Sequence, residues 1–181
     1  HFLHEDKKAC LEVVGPNGEF YDHPACRCLN PGHAIETAWF ILEEARQRQR
    51  PELIENALKI LDWSLDWGWD PVHGGLLYFV DIAGKPCLQY EHDMKLWWPH
   101  NEALFGTLLA YHMTGQPKYA EWYEKIHAWA YAHFPDRQHG DWFKYLHRDG
   151  TLASTAKGNA WAGPFHLPRM QLYCWKLLEE M

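Results

Sequence analysis

Asn30-Pro31-Gly32-His33, Trp98-Pro99-His100 and Gly163-Pro164-Phe165-His166 each open an apolar helical pattern, and their histidines recur at two intervals that differ by a single position. A repeat that puts titratable side chains at the same end of successive helices is how a ring of helix pairs lines a pocket with chemistry. The period persists away from the histidines. The interval from Pro51 to Pro117 is also that from Trp63 to Trp129 and from His73-Gly74 to His139-Gly140. The turns Pro16-Asn17-Gly18, Asp81-Ile82-Ala83-Gly84 and Arg148-Asp149-Gly150 keep nearly the same spacing. Each unit reads as a helix, a second helix and a hairpin.

Helical spacing of Ile35, Ala38, Trp39, Leu42 and Ala45 predicts a first helix from about His33 to the basic run before Pro51. Pro51 opens a second helix carrying Leu53, Ile54, Ala57, Leu58, Ile60, Leu61 and Leu65, which stops near Trp67-Gly68-Trp69. The next pair runs from about Pro99 to Gly115 and from Pro117 to His133, and a last helix starts near His166. Hairpins are expected for 11–14 with 19–21, 75–80 with 86–88, and 141–146 with 151–153. The fold class is therefore all-α, with residues 1–181 as a single domain of three inward and two outward helices. The chain begins His1-Phe2-Leu3-His4, on what reads as the closing hairpin of an earlier unit, so a missing beginning is expected.

Composition narrows the function. With 47% hydrophobic and 15% aromatic residues, eleven of them Trp, the chain has the makings of a large core or a sugar-binding cleft. A net charge of -7, with basic residues gathered only around Arg46, Arg48 and Arg50, argues against nucleic acid as a partner. No stretch is long and apolar enough to span a bilayer, so no membrane is expected. Five cysteines without a regular framework suit the reduced thiols of a cytoplasmic protein, and Cys26-Arg27-Cys28 lacks the second pair a metal site needs.

His33, His100 and His166 are candidates for proton transfer at the shared rim. Glu36 stands one turn after His33, and Glu102 occupies the equivalent place one repeat later. A helix N-terminus lowers an imidazole pKa and a nearby carboxylate raises it, so the combination suits a group that takes and returns a proton near neutral pH. Each histidine alone is more commonly a structural hydrogen-bonder, and each glutamate a helix-dipole partner. Metal binding would require three distant histidines to converge, without H-x-x-x-H or H-E-x-x-H spacing, and no metal is expected. Trp97, Trp98 and Trp161, beside Asn101, Lys157 and Arg169, offer aromatic faces and polar forks of the kind that bind sugars.

The motifs NPGHAIE, KLWWPHNEAL and GPFHLPR, with WDPVHGGLLYF between them, resemble the N-acylglucosamine 2-epimerase family, which includes renin-binding protein and is related to cellobiose 2-epimerases. The resemblance runs through nearly the whole chain. It implies a portion of an (α/α)6 toroid, its C-terminal half, whose pocket interconverts N-acetylglucosamine and N-acetylmannosamine. It assigns C2 proton transfer to His33 and His166, with Glu36 supporting the first. Trp98 and Glu102 become substrate contacts, joined by Trp97, His100, Asn101, Trp161 and Arg169. Homodimers are common among such proteins, and a homodimer is expected here.

The same chemistry follows from the residues. An opened aldose has a C1 carbonyl that acidifies the C2 proton and serves as the electron sink, so no cofactor is required. No Gly-rich phosphate loop is present, which leaves ATP or another nucleotide as an effector at most. Rival readings are a related aldose-ketose isomerase or cellobiose 2-epimerase, a toroid glycoside hydrolase using Glu36 and Glu102, and a protein-binding module without catalysis.

Overall fold

Short strands and long helices alternate in the computed structural model, which describes all residues 1–181. Strands β1 (Leu3–His4) and β2 (Ala9–Cys10) lead to the short α1 (Pro24–Arg27), β3 (Cys28–Leu29) and helix α2 (Pro31–Arg48). A 3-10 turn (Pro51–Leu53) enters α3 (Ile54–Gly68), followed by β4 (Val80–Asp81), β5 (Lys95–Leu96), α4 (Trp97–Thr114), α5 (Pro117–His133), β6 (Tyr145–Leu146) and α6 (Leu167–Glu180). No helix is long and apolar enough to cross a membrane.

The repeat is visible in the helices. α2 and α4 are both 18 residues long, and their first residues, Pro31 and Trp97, are separated by the same interval as Pro51 and Pro117. Asn30 caps α2 by accepting the His33 N–H at 3.2 Å, and Pro31 occupies the first turn, where its missing N–H costs nothing. Helix α4 is apolar on nearly every face, and all its residues from Trp97 to Ala110 are buried. Such a helix belongs between others. It packs against α2, α5 and α6, while α3 lies on α2. The inward row is therefore α2, α4 and α6, with α3 and α5 outside, joined by a continuous core that includes Ile35, Leu61, Leu104, Ile126 and Met170.

The strands do not pair as expected. The 11–22 segment forms a turn, with the Gly15 N–H on the Glu19 carbonyl, but no strands; the first pair is β1 with β2 instead. Residues 86–88 are not a strand either. β4 pairs antiparallel with β3, and β6 with β5, so each hairpin is clamped to the strand that enters an inward helix. Of the three expected hairpins, the third also pairs its own arms, bridging Leu146 and Leu152. This cross-repeat pairing gathers the hairpins around the N-terminal ends of α2 and α4.

Two glycines make the approach possible. A Cβ on Gly75, at φ +72°, would stand 2.8 Å from the Trp129 ring. A Cβ on Gly32, in the first turn of α2, would stand 2.6 Å from the six-membered ring of Trp98. Gly32→Ala is therefore expected to displace that indole and destabilise the fold by about 1–3 kcal/mol, lowering the thermal midpoint by several degrees. A midpoint equal to wild type would show that the indole moves away freely.

Candidate functional site

Each inward helix supplies one residue at the rim and another one turn deeper. From α2 come His33 and Glu36, from α4 Trp98 and Glu102, and from the start of α6 His166 and Arg169. The three or four residue spacing keeps each pair on one helical face. Together the rim residues border a cleft of about 550 Å³, lined by His33, Glu36, Trp97, Trp98, Trp161 and His166, with Tyr78, Glu91, Leu96, Tyr145 and Phe165.

Trp98 is the hub. Its ring lies 5.0 Å from that of His33 and 5.4 Å from that of His166, centroid to centroid. Trp97 is 2% exposed yet still borders the cleft, its ring nearly perpendicular to that of His166. Trp161 is largely exposed and forms the outer wall.

Below the rim, Glu102 is almost wholly buried and accepts three charged or polar donors. His166 Nδ1 meets it at 2.6 Å, Trp39 Nε1 donates at 2.7 Å, and Arg169 Nη2 donates to the same carboxylate. An ionised carboxylate has only acceptors, so its contact with His166 places the proton on Nδ1 and leaves Nε2 as the basic nitrogen. Arg169 Nη1 also lies 3.9 Å from Glu36, and its guanidinium stacks over Phe165 and Trp39. Burial and the charge of Glu102 push the Glu36 carboxyl above its ordinary pKa, while His166, Arg169 and His33 oppose the shift.

Several expectations need correction. His100 does not face the cleft: it is fully buried, accepts the Leu76 N–H on Nε2 at 2.9 Å and directs Nδ1 to the Leu96 carbonyl at 2.7 Å. Burial drives its pKa down to about 3, which keeps it neutral as a tie between the hairpin after α3 and helix α4. The reason lies in the register. With α2 and α4 aligned from their first residues, the counterpart of His33 is Pro99, and His100 comes one position later. One position rotates a side chain by about 100° around the axis. His166 avoids this constraint because it stands just ahead of α6 rather than inside its first turn. Asn101 is likewise buried and does not border the cleft. Lys157 follows the hairpin after α5 and reaches back to the turn before it, held by Asp136 at 2.6 Å and the Gly140 carbonyl at 2.7 Å.

Glu36 acts on His33 through its charge and makes no hydrogen bond to it. The carboxylate on the His33 Nδ1 is that of Glu12, while Glu36 turns toward Arg169 and Glu102. Glu102 sits behind His166 and Arg169 rather than in the cleft lining. Sequence reasoning passed over Trp39, read only as core, and over Tyr78, Glu91, Tyr145 and Phe165, whose clustering depends on how the hairpins fold back.

Glu36, Glu102 and His166 offer ligand atoms within 4.8 Å of one another, a spacing that a cation could bridge. Arg169 already supplies positive charge to both carboxylates, and His166 directs its Nδ1 proton at Glu102. The donor set is thus that of an internal ion-pair network. The same network counts against a glycosidase pair, because Glu102 is held away from any bond lying in the cleft.

The model of the N-acylglucosamine 2-epimerase (GlcNAc 2-epimerase) family matches residues 8–166. The chain belongs to this family. It is 41% identical over 175 residues to N-acylglucosamine 2-epimerase of Bos taurus, covering 96% of this chain and 42% of the relative. The corresponding protein of Homo sapiens is 38% identical over 182 residues, covering 99% and 41%. The chain thus spans about two-fifths of the length of these relatives. Among solved structures, cellobiose 2-epimerase from Bacillus thermoamylovorans B4167 superposes with a TM-score of 0.76 at 19% identity, covering 99% of this chain and 44% of that one. A D-mannose isomerase gives 0.73 at 22%, covering 84% and 37%. These likenesses establish the fold: a portion of an (α/α)6 toroid of helix hairpins.

Proposed function

We propose that the full-length protein interconverts N-acetylglucosamine and N-acetylmannosamine by removing and returning the C2 proton, with His33 and His166 as the two acid-base groups. The observation that carries this reading is the placement of two imidazoles against one indole at a cleft, each with Nδ1 on a carboxylate. Neither Nε2 is engaged by another group of the chain, so both are available to a substrate.

The sugar opens to its aldehyde, which makes the C2 proton acidic. One Nε2 takes that proton, and the C–H electron pair moves into the C1–C2 bond as the carbonyl pair moves onto oxygen. After rotation about a carbon-carbon bond, the other histidine, which enters the step as an imidazolium, gives its Nε2 proton to the opposite face and ends neutral. Trp98 and Trp161 give the sugar apolar faces to rest on, and Arg169 holds the charge of Glu36 and Glu102 in place. The substrate carbonyl is the electron sink, so the scheme uses no cofactor, and a nucleotide such as ATP enters it only as an effector. A homodimer in the cytoplasm completes the proposal, the compartment being the one that suits five unpaired cysteines.

Proton NMR of N-acetylmannosamine with the full-length protein in deuterated water tests the reaction. The expected result is N-acetylglucosamine with deuterium at C2. Conversion that keeps the original C2 proton would overturn the solvent-exchanging scheme, and conversion of mannose or cellobiose alone would replace the substrate.

A further inference from the structure

Glu12 lies outside every helix, yet its carboxylate contacts Nδ1 of His33, 21 residues away. Its place is fixed from behind. Leu11 is 2% exposed, its N–H donates to the Phe2 carbonyl at 2.9 Å, and the adjoining strand β2 packs on α3. Across the indole, Glu102 holds Nδ1 of His166 in the same manner. The two imidazoles are thus each matched with a carboxylate from a different element.

We propose that Glu12 is the positioning residue for His33, fixing the proton on Nδ1 so that Nε2 is the atom that exchanges the C2 proton of the sugar. This assignment rests on the epimerase reading. When Nε2 takes the C2 proton the ring becomes an imidazolium, and the Glu12 carboxylate stabilises that charge without taking a proton itself. The proton then leaves from Nε2, to carbon or to water. Glu36 does not fill this role because it is turned toward Arg169 and Glu102. The charged groups acting on His33 are Glu12, from the segment after β2, and Glu36, from its own helix; the indole on its other side is neutral.

Glu12 is partly exposed, so replacing it leaves no buried group unpaired. In the full-length protein, Glu12→Gln is expected to lower kcat by about 10- to 100-fold with KM little changed, and Glu12→Asp to recover part of the loss. The pH profile separates positioning from mere packing. The hydrogen bond to Glu12 raises the His33 pKa despite opposing burial. A base works only when neutral, so activity falls as pH drops through that raised value. Removing the carboxylate moves the acid limb of kcat/KM to lower pH, toward the ordinary histidine value of about 6.5. Unchanged kcat, or a loss with the acid limb in its original place, would overturn the assignment. Nitrogen-15 NMR of the His33 ring decides the matter independently of turnover. An Nδ1–H tautomer with a pKa that falls in Glu12→Gln is expected even if no sugar reacts; an Nε2–H tautomer or an unmoved pKa would overturn it.

Discussion

Alanine in place of His166, in the full-length protein, is expected to reduce turnover of N-acetylmannosamine by roughly 10²- to 10⁴-fold while leaving the fold intact. The ring is mostly buried beside Trp97, Trp98 and Phe165, but its removal strands no charge. Glu102 keeps Arg169 and the Trp39 indole as donors, so the loss of one hydrogen bond should cost only about 1 kcal/mol of stability. His33→Ala should show a similar kinetic loss with even less effect on stability, because that ring is half-exposed. Deuterium exchange adds a sharper expectation. With one base left, each variant should still wash out the C2 proton of one epimer without converting it to the other, and the two variants should differ in which epimer exchanges. Turnover within tenfold of wild type in either folded variant would remove that histidine from the acid-base pair.

The parts of this site legible in the sequence are those set by the helical repeat. The period places α2 and α4 in register, so Glu36 and Glu102 take equivalent places, and the Pro-containing openings mark the rim. The period also contained a warning. His100 is one position out of step with His33, and that offset turns it into the packing between α4 and the preceding hairpin. Tracking the register of these two histidines along their helices, rather than their motifs, would have separated the two roles.

What the repeat does not encode is pairing between units. Such short strands carry too little alternation to show a partner, and β3 and β5 find theirs in the hairpins that follow the next outward helix. Glu12 was illegible for the same reason: its relation to His33 comes from where β2 docks on α3, and no helical spacing connects them. Trp39 fits the apolar stripe of α2 and reads as core, which it is, but its indole N–H also reaches a buried carboxylate. An apolar pattern records the body of a tryptophan and is silent about its polar edge.

The largest effect on stability is expected away from the cleft, at Asp70. This carboxylate is fully buried at the turn after α3, where it accepts the N–H groups of Val72 and His73, Lys95 Nζ at 3.2 Å and Arg148 Nε at 2.8 Å. Lys95 is also fully buried, and its other contact is the Gly75 carbonyl. Asp70→Ala would leave that ammonium without a counter-charge, at a cost of about 3–5 kcal/mol. At the corresponding turn one repeat later, Asp136 accepts the N–H groups of Gln138 and His139 and pairs with Lys157, whose ammonium end keeps contact with water, so Asp136→Ala strands no fully buried charge and should cost less than Asp70→Ala. Thermal unfolding of the two variants measures the contrast, and equal losses would refute the argument from burial. Burial alone would raise the Asp70 pKa, but Arg148, the Val72 N–H and Lys95 outweigh it and hold the carboxyl well below its usual range. Stabilisation from a depressed carboxylate is complete above the unfolded value of about 3.9 and is lost as pH falls from there through the folded value. The gap between wild type and Asp70→Ala should therefore be full at neutral pH and narrow only below about pH 4. Because Lys95 lies in β5, just ahead of Trp97 and Trp98, a loosened Asp70 site should also free the first turn of α4, and the variant should bind sugar more weakly at temperatures where it remains folded.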